Sequence, residues 1–141
     1  MVVRTTPLGL LIGRTAKRVN GAFERALADA GATVPAWLVI MNLARHGPLR
    51  QTDLAERLGV TGPTMSHHLE MLSDRNWITR ERPADNRRTQ IVTLTDEGRR
   101  TFVRLRSVAQ GHDRNLRRGL TEEEEQALRN LLIKVAANIS Q

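Results

Sequence analysis

The sequence predicts a mainly α-helical chain with one small β-hairpin, and three observations carry that expectation. Apolar residues recur at three- and four-residue steps through most of the 141 residues. One stretch, 77–94, abandons that period for β-branched runs on either side of a polar turn. Threonine, proline and glycine stand where helices of this period have to start and stop.

Element by element, Thr6 reads as a helix cap with Pro7 at the first helical position. Behind it Leu8, Leu11, Ile12, Val19, Phe23, Ala26, Leu27 and Ala30 form one apolar stripe, closed by Gly31. Thr33 and Pro35 open a second helix through Val34, Trp37, Leu38 and Met41, stopped by Gly47-Pro48. Two short helices follow. The first, from Gln51 to Leu58, turns Leu54, Ala55 and Leu58 to one side and breaks at Gly59. Arg50 stands where a small capping residue is usual, so it starts poorly capped. The second is capped by Thr61, tolerates Pro63 in its first turn, buries Met65, Leu69 and Leu72, and ends near Asn76. Trp77-Ile78-Thr79 and Thr89–Leu94 then pair as a two-stranded hairpin around the polar turn Arg82–Arg88. Thr95 caps a long helix bearing Phe102, Leu105, Val108, Ala109, His112 and Leu116. Thr121 and Glu124 make a capping box for the last helix, which carries Ala127, Leu128, Leu131, Leu132, Val135 and Ile139. The acidic run Glu122–Glu125 suits that positive helix terminus and needs no further role.

Composition narrows the function. A length of 141 residues suits one ordinary domain, and aromatics at 3% leave the core to aliphatic side chains. The formal charge is +7 and the pI about 11.4, which favours a polyanionic partner. All the cations except Lys17 and Lys134 are arginines. Codon usage in a GC-rich genome gives the same excess, so the arginines decide little by their number. Without cysteine there is no disulfide, zinc-thiolate site or thiol sensor, and a reducing cytoplasm is the expected compartment. No signal peptide, membrane span, repeat or linker is evident, so no membrane partner is expected.

Two short helices joined at a glycine turn and followed at once by an arginine-rich hairpin describe a winged helix-turn-helix. Its second short helix enters the DNA major groove, and its wing reaches the flanking backbone or minor groove. The block Gln51-Thr52-Asp53-Leu54-Ala55-Glu56-Arg57-Leu58-Gly59-Val60, then Leu72, Asn86-Arg87-Arg88 and Val92-Thr93-Leu94-Thr95-Asp96-Glu97-Gly98, resembles the MarR (multiple-antibiotic-resistance-regulator) family of bacterial repressors. The likeness centres on 34–98 and extends through the flanking helices. Within the family pattern an aspartate is common at the position of Asn86, whereas this chain has Asp85 one place earlier. Either residue remains open as the one that orients the wing arginine. Glycine is frequent in the family at Asn76.

Helix geometry sorts the DNA-facing residues. With Met65, Leu69 and Leu72 inward, Gly62, Pro63, Ser66, His67 and Glu70 face outward. Thr61, Thr64, Ser66 and His67 lie in the N-terminal half that reaches base edges, with Ser66 and His67 the candidates for direct contact. Gly62 and Pro63 let the backbone approach closely and offer the helix N-terminus to phosphate. His68, about 100° around the helix from His67, borders the apolar stripe and reads as half-buried packing. Gln51 and Thr52 complete the set at the start of the first short helix. In the wing, Arg80, Arg82, Asn86, Arg87 and Arg88 are expected at phosphate or the minor groove, Arg88 foremost.

Helices of such length cannot bury their apolar faces on so small a lobe. We therefore expect a homodimer, with 1–32 and 99–141 as dimerisation helices and 33–98 as the DNA-binding lobe. Two recognition helices about one DNA turn apart then imply a near-palindromic operator, with half-sites roughly 10 base pairs apart. The family resemblance further implies a small-molecule effector, often an aromatic acid, where the two parts meet; Arg14, Trp37, Met41 and His112 are candidates. For Trp37 and Met41, core packing is the stronger explanation of the pattern. No enzyme is expected: His46, His67, His68 and His112 show no metal-ligand spacing, and no phosphate loop or activated nucleophile is present. No cofactor or metal is expected. The rivals are a zinc-regulated relative of the same fold and a non-specific DNA-coating protein.

Overall fold

The structure, a computed structural model, describes residues 5–85 and 89–140. In chain order it contains α1 (Leu8–Asp29), α2 (Val34–His46), β1 (Leu49–Arg50), α3 (Gln51–Leu58), α4 (Gly62–Asp74), β2 (Ile78–Glu81), β3 (Ile91–Leu94), α5 (Asp96–Arg117) and α6 (Glu122–Ile139).

Most of these boundaries follow from local chemistry. Thr33, Thr61, Thr95 and Thr121 each occupy a helix N-cap in extended backbone. Their hydroxyls accept from the amides of Ala36, Thr64, Gly98 and Glu124, which would otherwise lack partners. Glu124 returns the bond to the Thr121 amide at 2.9 Å, completing the capping box. One cap falls elsewhere than expected. Pro7, not Thr6, holds the N-cap of α1 and accepts the first helical bond, from Leu11, through its carbonyl. Proline sits well there, because a cap residue takes extended backbone and needs no amide of its own. α3 starts at Arg50 without a side-chain cap, as its sequence implies.

The sheet corrects a second expectation. It has three strands, in the order β1-β3-β2, all antiparallel. β2 and β3 form the expected hairpin, with Ile78 opposite Leu94 and Arg80 opposite Val92. β1 joins the other edge of β3, pairing Leu49 with Val92 and Arg50 with Ile91. Two residues after a Gly-Pro turn display no period, so only the partner strand defines them as β-structure.

The core lies beneath the short helices. Leu27, Val39, Ile40, Leu54, Met65, Leu69, Ile78, Val92 and Leu105 are fully buried, and they come from α1, α2, α3, α4, both hairpin strands and α5. Each such side chain stabilises the fold by about 1.5–3 kcal/mol through removal from water. Trp37 belongs to this core and stacks on Phe102 with ring centroids 5.9 Å apart. At the exit of the wing, Gly98 sits so close to Trp77 that a Cβ there would come within 2.0 Å of the Trp77 carbonyl oxygen. The Leu-Thr-x-x-Gly run after β3 therefore reflects a contact that only glycine permits. Among the described residues no single helix is long and apolar enough to cross a membrane.

Candidate nucleic-acid interface

α4 is held from behind and bare in front. Met65, Leu69 and Leu72 are buried, whereas Gly62, Pro63, Thr64, Ser66, His67 and Glu70 are exposed, which is the division the sequence predicts. His68 is half-buried, and its ring lies tilted 6.2 Å from that of His67. The N-terminus of α4 points outward, with Thr61 exposed and bonded through its hydroxyl to that of Thr64 at 3.0 Å. Asn76, just past the helix, has φ 61, the left-handed conformation its sequence position calls for.

The wing stands beside this face. Gln51, Thr52, Ala55, Gly62, Ser66, Arg80, Arg82, Thr89 and Gln90 together line a cleft of about 450 Å³ between α3, the start of α4 and the hairpin. Thr52 and Ser66 are exposed, Arg80 half-buried and Arg82 exposed. The first amide of α3, on Gln51, donates to the carbonyl of Gln90 at 2.9 Å, so the wing residue just before β3 satisfies a helix-start amide that the Arg50 side chain does not. The buried Gln51 Oε1 has no hydrogen-bond partner among the described residues. Buried amide oxygens are seldom left so, and this one borders the cleft. Asp85 is exposed; Asn86, Arg87 and Arg88, the rest of the expected wing tip, lie outside the described residues.

The charges divide unevenly along the chain. Among the described residues every ion pair lies between 96 and 129: Arg99–Asp96, Arg100–Glu97, Arg117–Asp113, Arg117–Glu125 and Arg129–Glu125. Carboxylates hold the Arg100 and Arg129 guanidiniums above the ordinary arginine range, first by hydrogen bonding and then by charge, through Glu97 and Glu125 respectively. Arg50, Arg80 and Arg82 form no ion pair among the described residues, which leaves their guanidiniums available to phosphate. His46 in this lobe is engaged by Arg57, at 3.3 Å from its Nε2.

The four effector candidates stand at different places in the single chain. Trp37 is in the core, Met41 is packed against it, His112 stacks on Phe23 at 5.0 Å, and Arg14 is exposed on α1. None of the four lines the cleft beside α4 or the cavity between the end of α1 and α4. Among those residues no three His, Asp or Glu side chains converge as a metal site.

A capped helix with a polar outer face, backed by a second short helix and flanked by a basic antiparallel wing, defines a DNA-binding winged helix-turn-helix protein. The sequence pattern of the MarR family matches residues 32–89. Across almost the whole chain, the transcriptional repressor CouR, solved bound to a 23-mer DNA duplex, is 30% identical with a TM-score of 0.82, over 92% of each chain. BpsR of Bordetella bronchiseptica, studied for regulation of its DNA binding by 6-hydroxynicotinic acid, shares the fold. Its TM-score is 0.79 at 24% identity, over 92% of this chain and 98% of that one. Wild-type MarR of E. coli in its apo form does likewise, at 0.76 and 23%, over 92% and 96%. The chain belongs to the MarR family, whose members are dimeric DNA-binding transcriptional regulators.

Proposed function

We propose that the protein is a repressor that binds a near-palindromic operator as a homodimer and is released from it by a small-molecule effector. The observation that carries this reading is the pairing of two surfaces across one cleft. Ser66 and His67 are exposed on the outer face of α4, and Arg80 and Arg82, without carboxylate partners among the described residues, stand opposite. In this proposal Ser66 and His67 read base edges. Thr61, Gly62, Pro63 and Thr64 bring the helix N-terminus to phosphate, while Gln51 and Thr52 fix the register. Arg82 and the sequence-derived candidates Asn86, Arg87 and Arg88 follow the flanking strand.

The division into a reading lobe, 33–98, and dimerisation helices, 1–32 and 99–141, belongs to the same proposal. It is supported by the exposed leucines of α6 and by an α1 that buries only Leu27 within its own chain. CouR bound to DNA and BpsR regulated by 6-hydroxynicotinic acid support operator binding and release. We place effector contact at Arg14 and His112, on helix faces that a single chain leaves at least partly accessible, with Trp37 and Met41 as the further candidates. Such a ligand acts by favouring a spacing of the recognition helices that fits the operator poorly. A regulator of this kind works where the chromosome is, in the cytoplasm.

Selection of fragments of the source genome by the purified protein tests the reading. Expected is one enriched symmetric site bound roughly a thousandfold or more tightly than random DNA. His67→Ala should shift the preferred sequence, and Arg82→Ala should weaken all sequences alike and flatten the salt dependence. Binding of random and selected DNA within about tenfold would instead identify a DNA-coating protein.

A further inference from the structure

Two arginines reach the C-terminal end of α1 from other parts of the chain. Arg75 donates through Nη1 to the carbonyl of Gly31, and Arg104 on α5 donates to that of Ala30. α1 closes with the Gly31 amide on the Ala28 carbonyl and the Ala32 amide on the Leu27 carbonyl, which leaves the next carbonyls facing outward. Its last turn has no basic residue of its own. The negative end of its dipole is therefore met by cations from α5 and from the end of the recognition helix.

Arg75 is well held for this task. It is the C-cap of α4, and its guanidinium lies over the Trp77 ring at 4.7 Å. Trp77 is buried, and between the two Asn76 is pinned by a 2.6 Å bond from the Thr95 hydroxyl to its carbonyl. Beside the guanidinium opens a cavity of about 300 Å³, walled by Ala28, Thr33, Ala36, His68, Met71 and Trp77. On this side α4 thus faces space rather than packed side chains, and the Arg75–Gly31 bond spans the gap. Packing fixes α4 through Met65, Leu69 and Leu72 on its inner face, and this bond fixes its far end against α1.

We propose that Arg75 is a positioning residue for operator recognition: by tying the end of α4 to the end of α1, it sets the separation of the two recognition helices in the dimer. The inference rests on the homodimeric operator reading given above. It differs from a base or phosphate contact in what it controls, which is the spacing between half-sites and not the sequence within one.

The test uses duplexes carrying two copies of the selected half-site, separated by spacers that differ by single base pairs. The parent protein should favour one spacing. Arg75→Ala should keep the half-site preference and the dimer mass, yet reduce discrimination between neighbouring spacings by roughly threefold to thirtyfold. Arg75→Lys keeps a donor for the Gly31 carbonyl and should retain the parental profile. Arg104→Ala loosens the same end of α1 from the α5 side and should leave the profile unchanged. Should Arg75→Ala lose its folded circular dichroism signal, Arg75→Gln is measured in its place. An unchanged profile in the Arg75 variant, or equal flattening by Arg104→Ala, overturns the proposal. A parent that shows no spacing preference overturns the homodimeric reading instead, so the two failures are distinct.

Discussion

The reading lobe and the terminal helices solve the problem of burial in opposite ways. In α2, thirteen residues bury Ala36, Trp37, Val39, Ile40 and Leu43, and α4 of equal length buries Met65, Leu69 and Leu72. The 22 residues of α1 bury only Leu27, and the 18 of α6 bury none. On α6, Leu128, Leu131 and Leu132 are 48%, 58% and 46% exposed, although the helix carries a complete capping box. A well-capped helix with a bare apolar row is half of a structure, because local signals start a helix but burial stabilises it. α2 and α4 find their burial within their own chain, whereas in the proposed dimer α1 and α6 complete theirs against the second subunit.

Substitutions that separate the two regions can break or sharpen this contrast. The largest effect is expected at Leu54, fully buried on the inner face of α3. Leu54→Ala should lower stability by about 2–5 kcal/mol in chemical denaturation, with little dependence on protein concentration. A midpoint that moves strongly with concentration would show that even the lobe relies on the partner. Next comes Leu131→Asp on α6. Sedimentation should show dimerisation weakened roughly tenfold or more, with the circular dichroism of the helices and hairpin retained in concentrated protein. A dimer as tight as the parent's would mean that α6 is not part of the shared core. The smallest effect is expected from Thr61→Ala, which removes the hydroxyl cap of α4 at a cost of about 1 kcal/mol. DNA affinity should fall further than that loss of stability explains if the same hydroxyl also faces phosphate; equal losses confine Thr61 to capping.

Much of this was legible in the sequence because the controlling interactions are local. A threonine three residues before an amide it can cap, or Met65, Leu69 and Leu72 at helical spacing, states its role within one or two turns. The same holds for Asn76, whose left-handed backbone follows from its place after a helix. What escaped depends on distant partners. β1 is two residues long and becomes a strand only because β3 lies alongside. Nothing around Arg75 or Arg104 announces Gly31 and Ala30, which stand 44 and 74 residues away. The stacking of Trp37 on Phe102 and of His112 on Phe23 likewise joins residues far apart in sequence. The place of Gln51 at the start of a helix is legible, but the burial of its side-chain oxygen with no partner among the described residues depends on the cleft.

The bond from the Gln51 amide to the Gln90 carbonyl has a consequence for how this surface tolerates change. It anchors the C-terminal end of the wing loop, just before β3, to the first turn of α3. A change of length or composition earlier in that loop leaves the anchor, and the start of α3 with it, in place. The tip of the wing can therefore vary while its base keeps its place beside the short helices.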